Sequence, residues 1–77
     1  MDPVELTARF ASNGEITPLR FSWKGREYLI ESTGRQWQAA DGRHILIQTP
    51  GDRSFELLFS SEGRWFLSQA GQTRMAA

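Results

Sequence analysis

The chain contains no cysteine, one histidine and one lysine, and these shortages exclude several classes of protein. Without cysteine, neither a disulfide framework nor a thiolate metal site can supplement the core. No run approaches the roughly 18 consecutive apolar residues that a membrane-spanning helix needs. The first residues contain no long apolar segment of the secretory type, so we expect a cytoplasmic protein without membrane contact.

The chain also lacks an excess of charge of either sign. Nine basic residues balance nine acidic ones, and the formal net charge is zero. The 77 residues are 39% hydrophobic and 12% aromatic, which is typical of a folded chain with a packed core. We expect one small domain over residues 1–69, followed by a flexible C-terminal tail over 70–77.

Apolar and polar residues alternate in short runs bounded by glycine, proline, asparagine and aspartate, a pattern that predicts an all-β protein. The runs cover residues 4–11, 16–23, 26–32, 35–39, 43–49, 54–60 and 64–69. The fourth can continue the third through a bulge at Gly34, and this gives six strands. We therefore predict a six-stranded antiparallel meander.

Two of the turns predict two-residue hairpin loops. At Asn13-Gly14 such a loop places Leu6 opposite Phe21 and Ala8 opposite Leu19. At Lys24-Gly25 it places Phe21 opposite Tyr28. Both arrangements bring apolar residues onto a shared face, as a half-buried sheet requires.

Two other turns share a pattern in which an acidic residue precedes glycine, at Asp41-Gly42 and at Glu62-Gly63. We predict three-residue loops with a left-handed glycine in both. The first loop then places Trp37 opposite Ile45, and the second places aromatic and aliphatic residues of 57–59 opposite those of 65–67. Residues 50–52 form another turn, whose register the sequence leaves open.

The inward-facing positions define a predicted core that is rich in aromatic side chains. Its members are Val4, Leu6, Ala8, Phe10, Leu19, Phe21, Trp23, Tyr28, Ile30, Trp37, Ile45, Ile47, Phe55, Leu57, Phe59, Trp65 and Leu67. A curled sheet surrounds such a core better than a flat one, so we predict an SH3-like or related small barrel. A two-layer β-sandwich is the alternative.

Groups able to perform catalysis are few. The lone His44 falls on the solvent phase of its strand, where a surface role is the simplest interpretation. No pair of carboxylates converges on a sheltered position, and no glycine-rich phosphate loop precedes a helix. We therefore expect no enzyme activity, no cofactor and no metal.

Eight arginines dominate the basic residues, and three of them lie close to a tryptophan in the sequence. These are Arg26, Arg35 and Arg64. Arginine and aromatic side chains on a small barrel can bind single-stranded nucleic acid. The zero net charge argues against this function, because nonspecific nucleic-acid affinity depends on excess positive charge. A nucleic-acid-binding barrel is therefore the alternative function.

Four large apolar residues fall on the solvent phase of their strands: Leu29, Leu46, Leu58 and Phe66. An exposed apolar patch of a few hundred Å² typically marks an interaction surface. A covering sheet or the C-terminal segment is the other explanation. We predict a non-catalytic module that binds a protein partner or itself through this apolar face.

Several runs resemble a group of short bacterial proteins of unknown function. The likeness covers residues 16–67 and rests on the runs at 18–28, 35–37, 55–59 and 63–67. Similar R-F-x-W-x-G-R-x-Y, R-W and G-R-W-Y-L motifs recur in that group, some of whose members are encoded beside Y-family error-prone DNA polymerases. The resemblance implies a shared fold and a connection with DNA repair or mutagenesis, and it assigns no role to any residue. This chain is less basic than that group.

Overall fold

The computed structural model describes residues 2–69, which form two antiparallel β-sheets. The strands are β1 (Asp2–Pro3), β2 (Glu5–Phe10), β3 (Ile16–Trp23), β4 (Arg26–Leu29), β5 (Ser32–Ala39), β6 (Gly42–Thr49), β7 (Arg53–Ser60) and β8 (Trp65–Gln69). One sheet has the order β1-β8-β7-β6-β5, and the other has the order β2-β3-β4. Over this range no helix is long and apolar enough to cross a membrane. The tail expected at 70–77 lies outside the described residues.

The all-β prediction is confirmed, but the closed six-stranded barrel is wrong, because eight strands form two separate sheets in a sandwich-like arrangement. The chain passes between the sheets at two places. At Val4 it leaves β1 for β2, and the Val4 amide donates to the Trp65 carbonyl over 3.1 Å. The strand expected at 4–11 therefore begins later, and β1 precedes it.

The second crossing lies between β4 and β5. The Ile30 amide donates to the Leu19 carbonyl of the three-stranded sheet, whereas the Glu31 amide donates to the Gln48 carbonyl of the five-stranded sheet. The strand therefore breaks here and not at Gly34, which lies inside β5 where the register shifts between Thr33 and Gln36. The bulge expected near Gly34 is present. It lies within β5, however, and does not connect β5 to β4 as one continuous strand.

The core lies between the facing sides of the two sheets. Its fully packed members are Ile16, Phe21, Ile45, Ile47, Phe55, Leu57 and Leu67. The Phe21 ring stacks on Tyr28 with centroids 5.0 Å apart and meets the edge of Phe55 at 5.8 Å. Burying each such side chain stabilises the fold by about 1.5–3 kcal/mol. Ile16 is a core member that the alternation pattern missed.

Two predicted core residues lie at the surface, Phe10 with 58% and Leu19 with 39% of their area exposed. The loop after β2 is longer than predicted, because the Ala11 amide donates to the Glu15 carbonyl. A bulge between Thr7 and Ala8 offsets this, so the predicted Leu6–Phe21 pair forms but Ala8 pairs with Pro18. Leu19 is consequently turned away from the core.

Two other turn predictions are confirmed. Lys24 and Gly25 both have positive φ, 52° and 77°, as a two-residue loop with a mirror-image turn requires. Phe21 accordingly pairs with Tyr28. In the last hairpin the Ser60 amide donates to the Arg64 carbonyl across a three-residue loop. The open register at 50–52 also resolves as a three-residue loop, since Thr49 pairs with Arg53.

The turn before β6 is shorter than predicted. Ala39 pairs directly with Gly42, so only residues 40–41 form the loop. Gly42 has a φ of +140°, and a Cβ there would overlap the carbonyl oxygen of Phe59 on β7. The close approach of the two strands explains the glycine. With this register Trp37 pairs with His44 instead of Ile45, and the indole lies on the outer face.

Candidate interaction face of the five-stranded sheet

One row of side chains crosses all five strands on the outer face of the larger sheet. Pro3 pairs with Phe66, Phe66 with Leu58, Leu58 with His44, and His44 with Trp37. We call these five residues the outer row. Since side chains of paired residues in antiparallel strands lie side by side, the row forms a continuous, mostly apolar surface.

The outer row arises because β6 and β7 carry apolar residues on both faces. Leu57 and Ile45 are fully buried in the core, whereas the neighbouring Leu58 points to the outer face. Leu58 is nevertheless only 5% exposed. The other sheet packs on the opposite side, and Leu58 does not belong to the core cluster between the sheets. A strand with apolar residues on both faces is typical of a sheet that is covered on both sides.

His44 is held between two carboxylates at the centre of this face. Its Nδ1 lies 2.6 Å from Oε2 of Glu56, its Nε2 lies 2.8 Å from Oδ1 of Asp41, and its side chain is only 11% exposed. The ring stacks on Trp37 with centroids 5.1 Å apart and an interplanar angle of 11°. Imidazolium satisfies both carboxylates at once, because both ring nitrogens then donate.

This arrangement changes the titration of the cluster. The hydrogen bond to Asp41 and then the one to Glu56 raise the pKa of His44 above 6.5, against a smaller opposing effect of burial. The hydrogen bond from His44 in turn lowers the pKa of Asp41 below 3.8. The pair therefore keeps the charged imidazolium and carboxylate over a wider pH range than the two isolated groups would.

The cluster is poorly suited to catalysis. A general base needs a ring nitrogen that can reach a substrate, but both nitrogens of His44 bind carboxylates. Asp41 and Glu56 also lie at opposite ring nitrogens, so they cannot converge with the ring on one ion. Among residues 2–69, no group of three or more His, Asp or Glu could hold a metal ion. The alternation pattern predicts His44 on the outer phase of its strand, where it lies. The pattern does not predict the two carboxylates and the indole that contact the ring.

Three of the four apolar interface candidates lie together. Leu46, Leu58 and Phe66 share the outer face, and the first two occupy neighbouring positions on β6 and β7. Leu29 lies apart, on the outer face of the three-stranded sheet, where it pairs with Arg20 and is 64% exposed. Leu29 is therefore not part of the face that Leu46, Leu58 and Phe66 share.

Two of the three arginine candidates flank the outer row. The Arg35 guanidinium lies 5.3 Å from the Trp37 ring centroid, and that of Arg64 lies 5.9 Å from the Phe66 ring centroid. Such contacts combine charge with the negative face of the ring. Arg26 does not join them, because it pairs with Trp23 in the three-stranded sheet.

The sequence pattern predicts Trp37 in the core, whereas the structure places it at one end of the outer row. The burial of apolar side chains favours an inward tryptophan. A three-residue loop at Asp41-Gly42 gives that orientation, because it pairs Trp37 with the inward-facing Ile45. A signal for the correct register was present in the sequence, since Asp41 lies three residues before His44 and a short turn brings them into contact. Pro3, before the first expected strand, carried no signal.

Comparison with protein-family models, with curated proteins and with solved structures finds no match for this chain. The resemblance described from sequence motifs therefore stays a prediction.

Proposed function

We propose that the protein is a non-catalytic interaction module that binds a protein partner, or a second copy of the chain, through the outer face of the five-stranded sheet. The observation that carries this proposal is the outer row, which aligns Trp37, Phe66 and Leu58 across paired strands. Aromatic side chains and arginine are enriched in protein interfaces, and this face has both.

The packing of the sheets supports the same conclusion. The three-stranded sheet covers the inner face, so residues 2–69 provide no second layer over the outer row. Trp37 and Phe66 are half-buried, and each ring has an arginine beside it. Side chains that neighbours already hold in place lose little conformational freedom when a partner covers them, which favours association.

The test compares substitutions on the two outer faces. Trp37→Ser and Phe66→Ser alter the proposed face, and Leu29→Ser is the matched control, because Leu29 is a large exposed side chain on the other sheet. Sedimentation over a range of concentrations measures self-association. If a second copy binds, we expect the first two variants to raise the dimer dissociation constant at least about tenfold, equivalent to about 1.4 kcal/mol, and the control to leave it unchanged.

A protein that stays monomeric is tested with a photo-crosslinking amino acid at position 66 and, as control, at position 29. A discrete adduct from position 66 that Trp37→Ser abolishes supports a different protein as partner. Monomeric behaviour together with equal or absent crosslinking at both positions would refute the proposal.

Single-stranded nucleic acid is the second candidate, favoured by the contacts of Arg35 with Trp37 and of Arg64 with Phe66. Asp41 and Glu56 on the same face weaken it, as does the zero net charge. We expect a dissociation constant for single-stranded DNA weaker than about 10⁻⁴ M near physiological salt. Micromolar binding that falls steeply with salt and is weakened by Arg35→Ala would place this function first.

A further inference from the structure

A second surface, separate from the outer face, lies at one open end of the space between the sheets. A depression of about 300 Å³ opens there beside the start of β6 and the end of β7. Its lining combines polar and apolar side chains: Ile16, Gln38, Arg43, Phe59, Ser60 and Ser61. Small-molecule sites begin at about this volume and share this mixture of apolar walls and few polar groups.

Arg43 supplies the charge of this pocket. Arg43 is half-buried as a residue, and its guanidinium has no carboxylate within 4.0 Å among residues 2–69. Its acceptors are all neutral and distant: Oε1 of Gln38 at 3.3 Å, Oε1 of Gln36 at 3.4 Å and the Gly14 carbonyl at 3.4 Å. These bonds use Nε and Nη1, and within the described range Nη2 has no acceptor. A half-buried cation with free donors favours an anionic ligand.

The pocket also has apolar lining residues, and an exposed ring lies next to one of them. Phe59 and the buried Ile16 line the pocket. Phe10 pairs with Ile16 in the sheet, and its ring centroid lies 5.6 Å from that of Phe59, yet 58% of Phe10 is exposed. An aromatic ring left in water beside a pocket offers a surface on which a planar ligand can stack.

We propose that this pocket binds a small aromatic monocarboxylate, whose carboxylate pairs with Arg43 and whose ring packs on Phe59 and Phe10. The fork of a guanidinium matches a planar carboxylate with two parallel hydrogen bonds. The lining residues include one cation, which a single negative charge neutralises. A phosphate dianion would leave excess negative charge against half-buried groups.

Benzoate is the probe, added to the full-length chain labelled with ¹⁵N and followed by NMR. We expect saturable shifts at the amides of Gly42, Arg43 and Ser61 with a dissociation constant of about 1 mM or below. Benzamide, which has the same shape without the charge, should bind at least about tenfold more weakly, and phenyl phosphate should bind no better than benzoate. Equal binding of benzoate and benzamide would overturn the proposal, as would the absence of saturable shifts.

Substitutions assign the binding to this pocket. Arg43→Gln should weaken benzoate binding at least about tenfold, whereas Arg53→Gln should not, because the exposed Arg53 lies against Phe55 at the other end of β7. If Arg43→Gln fails to fold, Phe10→Ser provides the test, since this exposed ring contributes little to the core. It should weaken benzoate binding severalfold. Unchanged affinity in Phe10→Ser, or an equal loss in Arg53→Gln, would refute the assignment.

Discussion

Gly42→Ala is expected to be far more destabilising than alanine at any of the turn glycines. A Cβ at position 42 would overlap the Phe59 carbonyl oxygen and lie 2.8 Å from the Ser60 Cα. Both are backbone atoms of β7, so no side chain can rotate away to relieve the clash. The backbone would have to move, and the φ of +140° disfavours an L side chain as well.

The two effects can be estimated separately. Holding a non-glycine residue in a sparsely populated backbone conformation costs about 1–3 kcal/mol. Forcing extra atoms into a packed position costs about 1–3 kcal/mol more. The sum, about 2–6 kcal/mol, compares with a total stability of about 4–12 kcal/mol for a chain of 77 residues. The variant should therefore lose about half of its free energy of unfolding.

Urea denaturation followed by tryptophan fluorescence measures the difference. Gly63→Ala is the matched control, because Gly63 has a φ of +83° but a Cβ added there would meet no atom within 4 Å. Conformation alone should cost about 1 kcal/mol at that position. If Gly42→Ala loses no more stability than Gly63→Ala, the close approach of β6 and β7 at Gly42 is wrong.

Two further predictions concern the outer face. The pKa of His44 is raised, so the stabilisation that His44 contributes should be complete below about pH 6.5 and lost as the pH rises through its folded-state pKa. The lowered pKa of Asp41 gives the opposite limit, because the stabilisation that Asp41 contributes is lost as the pH falls below about 3.8. The difference in unfolding free energy between the wild type and His44→Gln should therefore be larger at about pH 6 than at about pH 9, and a constant difference would exclude the linkage. Leu58→Ala should cost about 2–3 kcal/mol in urea denaturation, since Leu58 is 5% exposed, whereas Leu29→Ala should cost less than about 0.5 kcal/mol. Equal losses would show that Leu58 is not covered on the outer face.

Local turn chemistry predicted much of the fold. The Lys24-Gly25 turn indicated the pairing of Phe21 with Tyr28, and the loop before Arg64 indicated that of Phe59 with Trp65. In these hairpins the positive φ values and the burial of apolar pairs favour the same register. Agreement between independent local signals is what makes a register predictable from sequence.

The turn at Asp41-Gly42 was not predictable in this way, because its glycine is required by a distant strand. Gly42 is required by the approach of Phe59 on β7 as well as by its own φ of +140°. Predicting the register then requires a decision about which side of β5 is buried. The burial of apolar side chains favours Trp37 on that side over Gln36 and Gln38. The structure places Gln36 inward instead, where its side-chain amide donates to the Ile16 carbonyl over 3.0 Å. A polar inward residue is acceptable there because it links the sheets at their open end.

The crossings between sheets were hidden for a similar reason. A strand that changes sheet keeps its extended backbone and its alternation, so the sequence pattern continues through the change. Only the hydrogen-bond partners differ, as with Ile30 and Glu31. These partners are remote in sequence, and no local pattern distinguishes a continuous barrel from two sheets joined at their corners.

The register of β5 against β6 also determines whether the outer row exists. Side chains alternate between faces along a strand, so a slip of one residue in β5 would turn Trp37 inward and Gln36 outward. His44 would then lose the indole that stacks on it, and Arg35 would lose its aromatic partner. The two-residue loop at residues 40–41 sets which residues of β5 and β6 pair, so it also fixes the aromatic end of the proposed interaction face.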